Sequence, residues 1–438
     1  MASADATQTA SGGALLVRWQ GLITPDQAVL RRLERLAGLL LLALFTGLPL
    51  FTRTGLALVI AACGVLWLLW CLCSPPPQRI GTISRWLMLF LAIAIVATGC
   101  SPVPIAASKG LIKLLSYLGV YALLCKLLLS NSRWWNRLIA GLLSGGLLSS
   151  VLALRQLYAS SEELAGWADP NSISAGTVRI YGPLGNPNLL AGYLLPLIPF
   201  AAIALVRWRG VGAQLFAGTT LVLAATATLF TYSRGGWLGM VAAGAVLLLL
   251  LLLRWTRHWP PLWRRLVPLA VLLVGAACLV VAATQIDPIR TRITSLLAGR
   301  GDSSNNFRIN VWMAAIQMVQ DRPWLGIGPG NTAFNSIYPL YQQPKFNALS
   351  AYSVPLEILV ETGIPGLLAC LGLLASSLRQ GLKQLNADAP SALASIASLA
   401  AIAGLLMQGS TDTIFFRPEV QLIGWFALAS LVSRPRES

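Results

Sequence analysis

Along nearly the whole chain, polar residues fall in short clusters between apolar runs of about 17 to 22 residues, each long enough to cross ~30 Å of hydrocarbon. The pattern predicts about twelve helices with cores near 34–51, 55–73, 86–102, 110–129, 137–158, 188–206, 214–231, 236–253, 265–283, 350–374, 392–409 and 419–433. The 350–374 run contains Pro355 and Pro365, so a kink or a split is expected there. Two segments between runs are long, 159–187 and 284–349. In the second, Ile309, Trp312, Met313, Ile316 and Val319 recur at helical spacing, and Asp321 to Pro323 ends the pattern. That predicts an amphipathic helix lying on the membrane surface.

The expected architecture is an all-α, polytopic integral membrane protein. It comprises an N-terminal tail (1–30), nine transmembrane helices (31–283), a helical loop subdomain (284–349) and three further helices with a short tail (350–438).

Composition narrows the class. Of 438 residues 56% are hydrophobic and 11% charged, against roughly 25% charged in soluble domains. The net charge of +17 would suggest nucleic acid in a soluble chain. Here the cations cluster between alternate helices, at Arg31, Arg32, Arg35, Arg133, Arg137, Arg207, Arg209, Arg254 and Arg257. By the positive-inside rule both termini are cytoplasmic, the two long segments lie on the other face, and no nucleic-acid partner is implied. The seven cysteines sit in or beside apolar runs and have no metal-ligand spacing with histidine, so no metal site and no cofactor is expected. The single histidine, His258, falls in a loop on the cytoplasmic side.

Candidate chemistry gathers on the far side. In TYSRGGWLG, Arg234 opens a helix, where a guanidinium and free N–H groups together attract anions. Gly235 and Gly236 would let a bulky group approach the backbone. A tight turn with a snorkelling arginine would also account for this stretch. In RIYGPLGNPNLL, Asn186 to Asn188 reads as a helix cap and Arg179 as a possible ligand contact. PWLGIGPGN, at 323–331, lacks the lysine of a phosphate loop and reads as a membrane-surface turn. Asp412 lies with Arg417 at a helix end, where a functional role for an ionisable residue near membrane depth and a simple pairing with an arginine are both open. Glu357 and Glu361 share one helical face in an apolar segment. Both would be costly there if ionised and unpaired, so Glu357 is expected to face Arg234 or a similarly placed cation.

In combination, SRGGWLG, RIYGPLGNPN, Arg308-x3-Trp312, DRPWLGIGPGN and PLEILVETGIPG resemble the O-antigen ligase/polymerase superfamily, over about 179–425. FNALSAYSVPLEILVETG and STDTIFFRPEVQL resemble more closely the cyanobacterial IctB family, to which bicarbonate transport is ascribed. The superfamily resemblance implies polysaccharide biosynthesis at the inner membrane. There a glycan moves from undecaprenyl diphosphate to an acceptor hydroxyl on the periplasmic face, with inversion and without a metal. By the same resemblance Arg234, helped by Arg179 and Arg308, holds the diphosphate, with Gly235, Gly236, Glu361, Asp412 and Arg417 in support. The catalytic pair would be Tyr352 and Glu357, with Tyr352 standing where the resemblance expects a histidine base. A phenol with a reference pKa of about 10 accepts protons poorly near neutrality unless a cation lowers it. Three readings follow: a lipid-linked glycan transferase, a transporter of a small anion such as bicarbonate, and a non-catalytic membrane partner.

Overall fold

The structure, a computed structural model, describes residues 27–74, 81–158, 179–285, 290, 294, 298–387 and 389–432. The predicted tails at 1–26 and 433–438, and 159–178 of the first long segment, lie outside them. The described residues are helical, with no strand among them. All twelve expected helices form, with shifted ends. They are α1 (Gln27–Gly47), α2 (Arg53–Leu72), α3 (Thr82–Gly99), α4 (Pro104–Ser130), α5 (Arg133–Arg155), the pair α6 (Pro187–Leu194) and α7 (Leu197–Arg207), α8 (Val211–Phe230), α9 (Arg234–Trp255) and α10 (Pro261–Gln285). After α11 (Ser303–Asp321) and α12 (Asn331–Ile337) come α13 (Val354–Gln384), α14 (Ala389–Gly409) and α15 (Pro418–Val432).

Ten spans among the described residues are long and apolar enough to cross a membrane. Helix α1 falls outside that set because Arg31, Arg32, Glu34 and Arg35 occupy its first half, and α15 because it has only 15 residues. The expected helix at 188–206 is broken at Pro196, which lies between α6 and α7. The buried centre is built from aromatic edges. Phe426 of α15 meets Phe45 of α1 at 5.6 Å and Phe200 of α7 at 5.4 Å between ring centroids. Helices α9 and α14 pack along each other, as do α3 and α13, while α10 touches the bundle mainly through α9 and is largely exposed.

Helix α13 is split as expected just before Pro365, and not at Pro355. Pro355 sits in the first turn, where its missing N–H costs nothing, so the helix starts at Val354 rather than 350. The break is at Gly363, with φ 67° and ψ −170°, two residues before Pro365. The broken ladder is repaired by the 323–331 segment. Ile327 and Gly328 donate their N–H groups to the carbonyls of Val360 and Glu361 at 2.9 and 3.0 Å, and Ile364 N–H donates to the Pro323 carbonyl at 2.8 Å. A Cβ at Gly110 would strike Pro329, so the same segment lies tight against α4. PWLGIGPGN is therefore a wedge between α4 and α13, not a surface turn. Its glycines are needed because Gly326, Gly328 and Gly330 all have positive φ against neighbouring backbone or Ala107.

Helix α11 begins at Ser303, six residues before the first periodic position, Ile309, and is capped by Asp302, whose side chain accepts from Asn305 N–H at 3.1 Å. It buries Val311, Ala314, Ala315 and Met318, while Met313 and Ile316 remain exposed. Small alanines lie on the buried side of α11, which packs against α13, while Ile309, Trp312 and Val319 of the sequence pattern are partly buried and only Met313 and Ile316 are turned away.

Candidate functional site

The site is assembled from five chain segments. Ser233 caps α9, its hydroxyl accepting from Gly236 N–H at 3.2 Å, and this sets Arg234 at the helix start. Arg234 Nη1 donates to Asp302 Oδ1 at 3.1 Å, with the two side chains only 10% and 1% exposed. Arg308, one turn into α11, donates from Nε to the Thr411 carbonyl at 3.0 Å and from Nη1 to Ser304 Oγ at 2.7 Å. Arg179 donates from Nε to the Thr231 carbonyl at 2.9 Å and from Nη2 to Asn188 Oδ1 at 2.8 Å. Asn186 caps α6, as expected, and thereby presents Asn188.

Asp412, immediately after α14, is the common neighbour of this group. It is buried, accepts from Thr413 N–H at 2.8 Å, hydrogen-bonds Asn188, and feels the charges of Arg308 and Arg179. Burial raises its carboxyl above the ordinary aspartate range despite those arginines, the Thr413 N–H and Asn188. Tyr352 has a left-handed backbone, φ 50°, and its carbonyl accepts from Trp312 Nε1 at 3.3 Å. Its ring stands edge-on to Phe307 at 5.3 Å. Burial, then the charge of Asp412, raises the Tyr352 phenol above its ordinary value; Arg308 opposes this, and Glu357 adds to it. The local cation therefore does not make this phenol a base. At neutral pH Tyr352 is a hydrogen-bond donor.

Arg179, Arg234, Arg308, Tyr352 and Asp412 thus converge, and the structure adds Asp302. Several expectations are corrected. Glu357 does not face Arg234, and the cation that acts on it is Lys113. Its Oε2 accepts from Ala351 N–H at 2.6 Å, its Oε1 has no partner among the described residues, and its charged neighbours are Glu361 and Lys113. Glu361 instead holds the wedge, accepting from Gly330 N–H at 2.7 Å. Arg417 pairs with Glu419 at 3.8 Å, not with Asp412. Gly235 and Gly236 leave no room for a ligand. A Cβ on the first would meet Thr411 at 3.0 Å and on the second Ala191 at 2.7 Å, so these glycines let α9 close on α14 and α6. Asp302 was legible as a cap only if α11 had been started at 303. Lys113 carried a plainer signal, an ammonium well inside an apolar run.

Residues 219–371 match the O-antigen ligase (Wzy_C) family. That stretch contains Arg234, Asp302, Arg308, Tyr352 and both glutamates, whereas Arg179 and Asp412 lie outside it. No curated protein matches the chain. With ten candidate spans, the match supports a multi-pass, O-antigen ligase-related membrane protein.

Proposed function

We propose that the protein binds the diphosphate of a lipid-linked glycan, such as undecaprenyl-diphosphate glycan, on the periplasmic face of the inner membrane and transfers the glycan to an acceptor hydroxyl. One observation carries this reading: in an otherwise apolar bundle Arg179 and Arg308, from separate segments, are brought to Asp412, Arg308 also to Tyr352, and Arg234 with Asp302 stands beside Arg308. Guanidiniums suit phosphate oxygens because their N–H groups match two acceptors at once. The periplasmic assignment follows from the positive-inside pattern.

In the reaction the acceptor oxygen bonds to the anomeric carbon as the bond to the diphosphate oxygen breaks. The diphosphate leaves with the electron pair, with the arginines stabilising its growing charge and Tyr352 donating a hydrogen bond. The acceptor's proton goes to Asp412, the carboxylate of this group whose proton affinity burial has raised. Glu357, fully enclosed and bonded to Ala351 N–H, sets the backbone that presents Tyr352.

The test is binding of a short-chain polyprenyl diphosphate to the purified protein in detergent. Arg308→Gln and Arg234→Gln are each expected to weaken it at least tenfold, from the ~1.5–3 kcal/mol of a hydrogen bond to a charged group. Unchanged affinity in both would overturn the reading. The IctB-type alternative makes the opposite prediction, that bicarbonate displaces the diphosphate at comparable concentration.

A further inference from the structure

A cavity of about 370 Å³ lies between α3, α4, α13, α14 and α15. Most of its wall is aliphatic, and Leu371 and Leu406 on it are about half exposed, which leaves it open on the lipid-facing side of the bundle. In a bilayer such a space takes up hydrocarbon. Its polar end has a different character. Lys113 Nζ donates to the Phe416 carbonyl at 2.9 Å and sits 5.7 Å from the centre of the Tyr117 ring. Glu361 uses one oxygen to accept from Gly330 N–H and has no hydrogen-bond partner for the other among the described residues.

Two further groups line this wall. The Gln421 carboxamide and the Tyr117 hydroxyl make no hydrogen bond to any described residue. Both are therefore available to an occupant, each such bond adding about 0.5–1.5 kcal/mol. The charges say what kind of occupant that is. Lys113 and Glu361 are the charged groups on the described lining, which has no arginine, and Lys113 also feels Arg417, Glu419 and Glu357, so a diphosphate or other anionic headgroup would meet more carboxylates than cations. Hydroxyl groups suit this set, since each both donates and accepts and so serves amide, phenol, carboxylate and ammonium alike. The aromatic faces of Tyr117 and Trp425 complete a surface of the kind that contacts a sugar ring.

We propose that this cavity is a binding site for a membrane lipid with a neutral, sugar-bearing headgroup, separate from the arginine centre and independent of the reaction ascribed to it. The acyl chain lies along α13 and α14, and the headgroup reaches Lys113, Glu361 and Gln421.

The experiment is native mass spectrometry of the full-length protein, purified in a detergent without a sugar headgroup. It is offered equal amounts of dioleoyl monoglycosylglycerol, dioleoyl phosphatidylglycerol and dioleoyl phosphatidylethanolamine. The glycolipid is expected to be retained at least about fivefold over either phospholipid, the ratio that one net hydrogen bond supplies. Gln421→Leu and, as a second isosteric variant, Glu361→Gln should each reduce that preference about fivefold. Leu406→Trp, which fills the lipid side, should reduce retention of all three lipids while leaving polyprenyl diphosphate affinity unchanged. A preference for phosphatidylglycerol, equal retention of the three lipids, or an undiminished preference in both polar variants would overturn the proposal.

Discussion

Asp302 holds two jobs that substitution can separate. It caps α11 through Asn305 N–H, and it neutralises Arg234 at 3.1 Å with both side chains almost enclosed. Asparagine caps a helix about as well as aspartate, so Asp302→Asn keeps the first job and loses the charge. What changes is the bond to Arg234, from one between two charges to one between a charge and an amide, which costs about 1–2 kcal/mol. Asp302→Ala loses everything. A buried pair broken from one side costs about 3–5 kcal/mol, and a missing cap adds about 1. Thermal unfolding of the purified variants should therefore rank wild type above Asn and Asn well above Ala. Ligand affinity should move the other way. With the charge of its internal counter-ion removed, Arg234 is held less strongly by residue 302, and Asp302→Asn should bind a short polyprenyl diphosphate about tenfold more tightly, the value of one charged hydrogen bond. Weaker binding in Asp302→Asn, or equal stability of the Asn and Ala variants, would refute the idea that Asp302 competes with the ligand for this arginine.

Three other outcomes follow from the same geometry. Tyr352→Phe keeps the ring against Phe307 and should unfold within about 0.5 kcal/mol of wild type, yet bind diphosphate about tenfold more weakly for want of the phenolic donor; thermal unfolding reads the first and titration calorimetry the second. Asp412 has a raised carboxyl, so the folded state favours its protonated form. Its contribution to stability is therefore fullest below the ordinary aspartate pKa and is lost as pH rises through the raised one, which makes Asp412→Asn stabilising at neutral pH. By the same sign, protonation removes a negative charge beside Arg308 and Arg179. Diphosphate affinity should climb as pH falls in the wild type relative to the Asn variant, and parallel pH profiles would count against it. Gly363→Ala combines a positive φ with a Cβ driven into the Trp324 backbone, and it should cost more than about 3 kcal/mol, seen as loss of folded protein on size-exclusion chromatography.

The glutamates of SAYSVPLEILVETG illustrate how far local pattern reaches. Their i, i+4 spacing does place them on one face of α13, as helix geometry requires. What that face meets is set by the chain 20 to 40 residues upstream and by α4, and no spacing within the segment encodes it. Glu361 turns to the wedge and Glu357 to the loop before its own helix, while the arginines find their carboxylates in Asp302 and Asp412.

The helical, membrane-spanning character was fixed by the sequence alone, because twenty apolar residues in a row leave no other way to satisfy a backbone in lipid. The helix starts at Arg234 and Asn186 were equally local, since caps act within three residues. Tertiary structure alone decided which charges meet. Arg179, Arg234, Arg308 and Asp412 are 55 to 104 residues apart from their neighbours in this set. Their encounter depends on α9 closing on α14 through glycines and on α11 docking through alanines. The residue at which α13 breaks was decided in the same way, where the 323–331 segment supplies the hydrogen bonds that a broken helix needs.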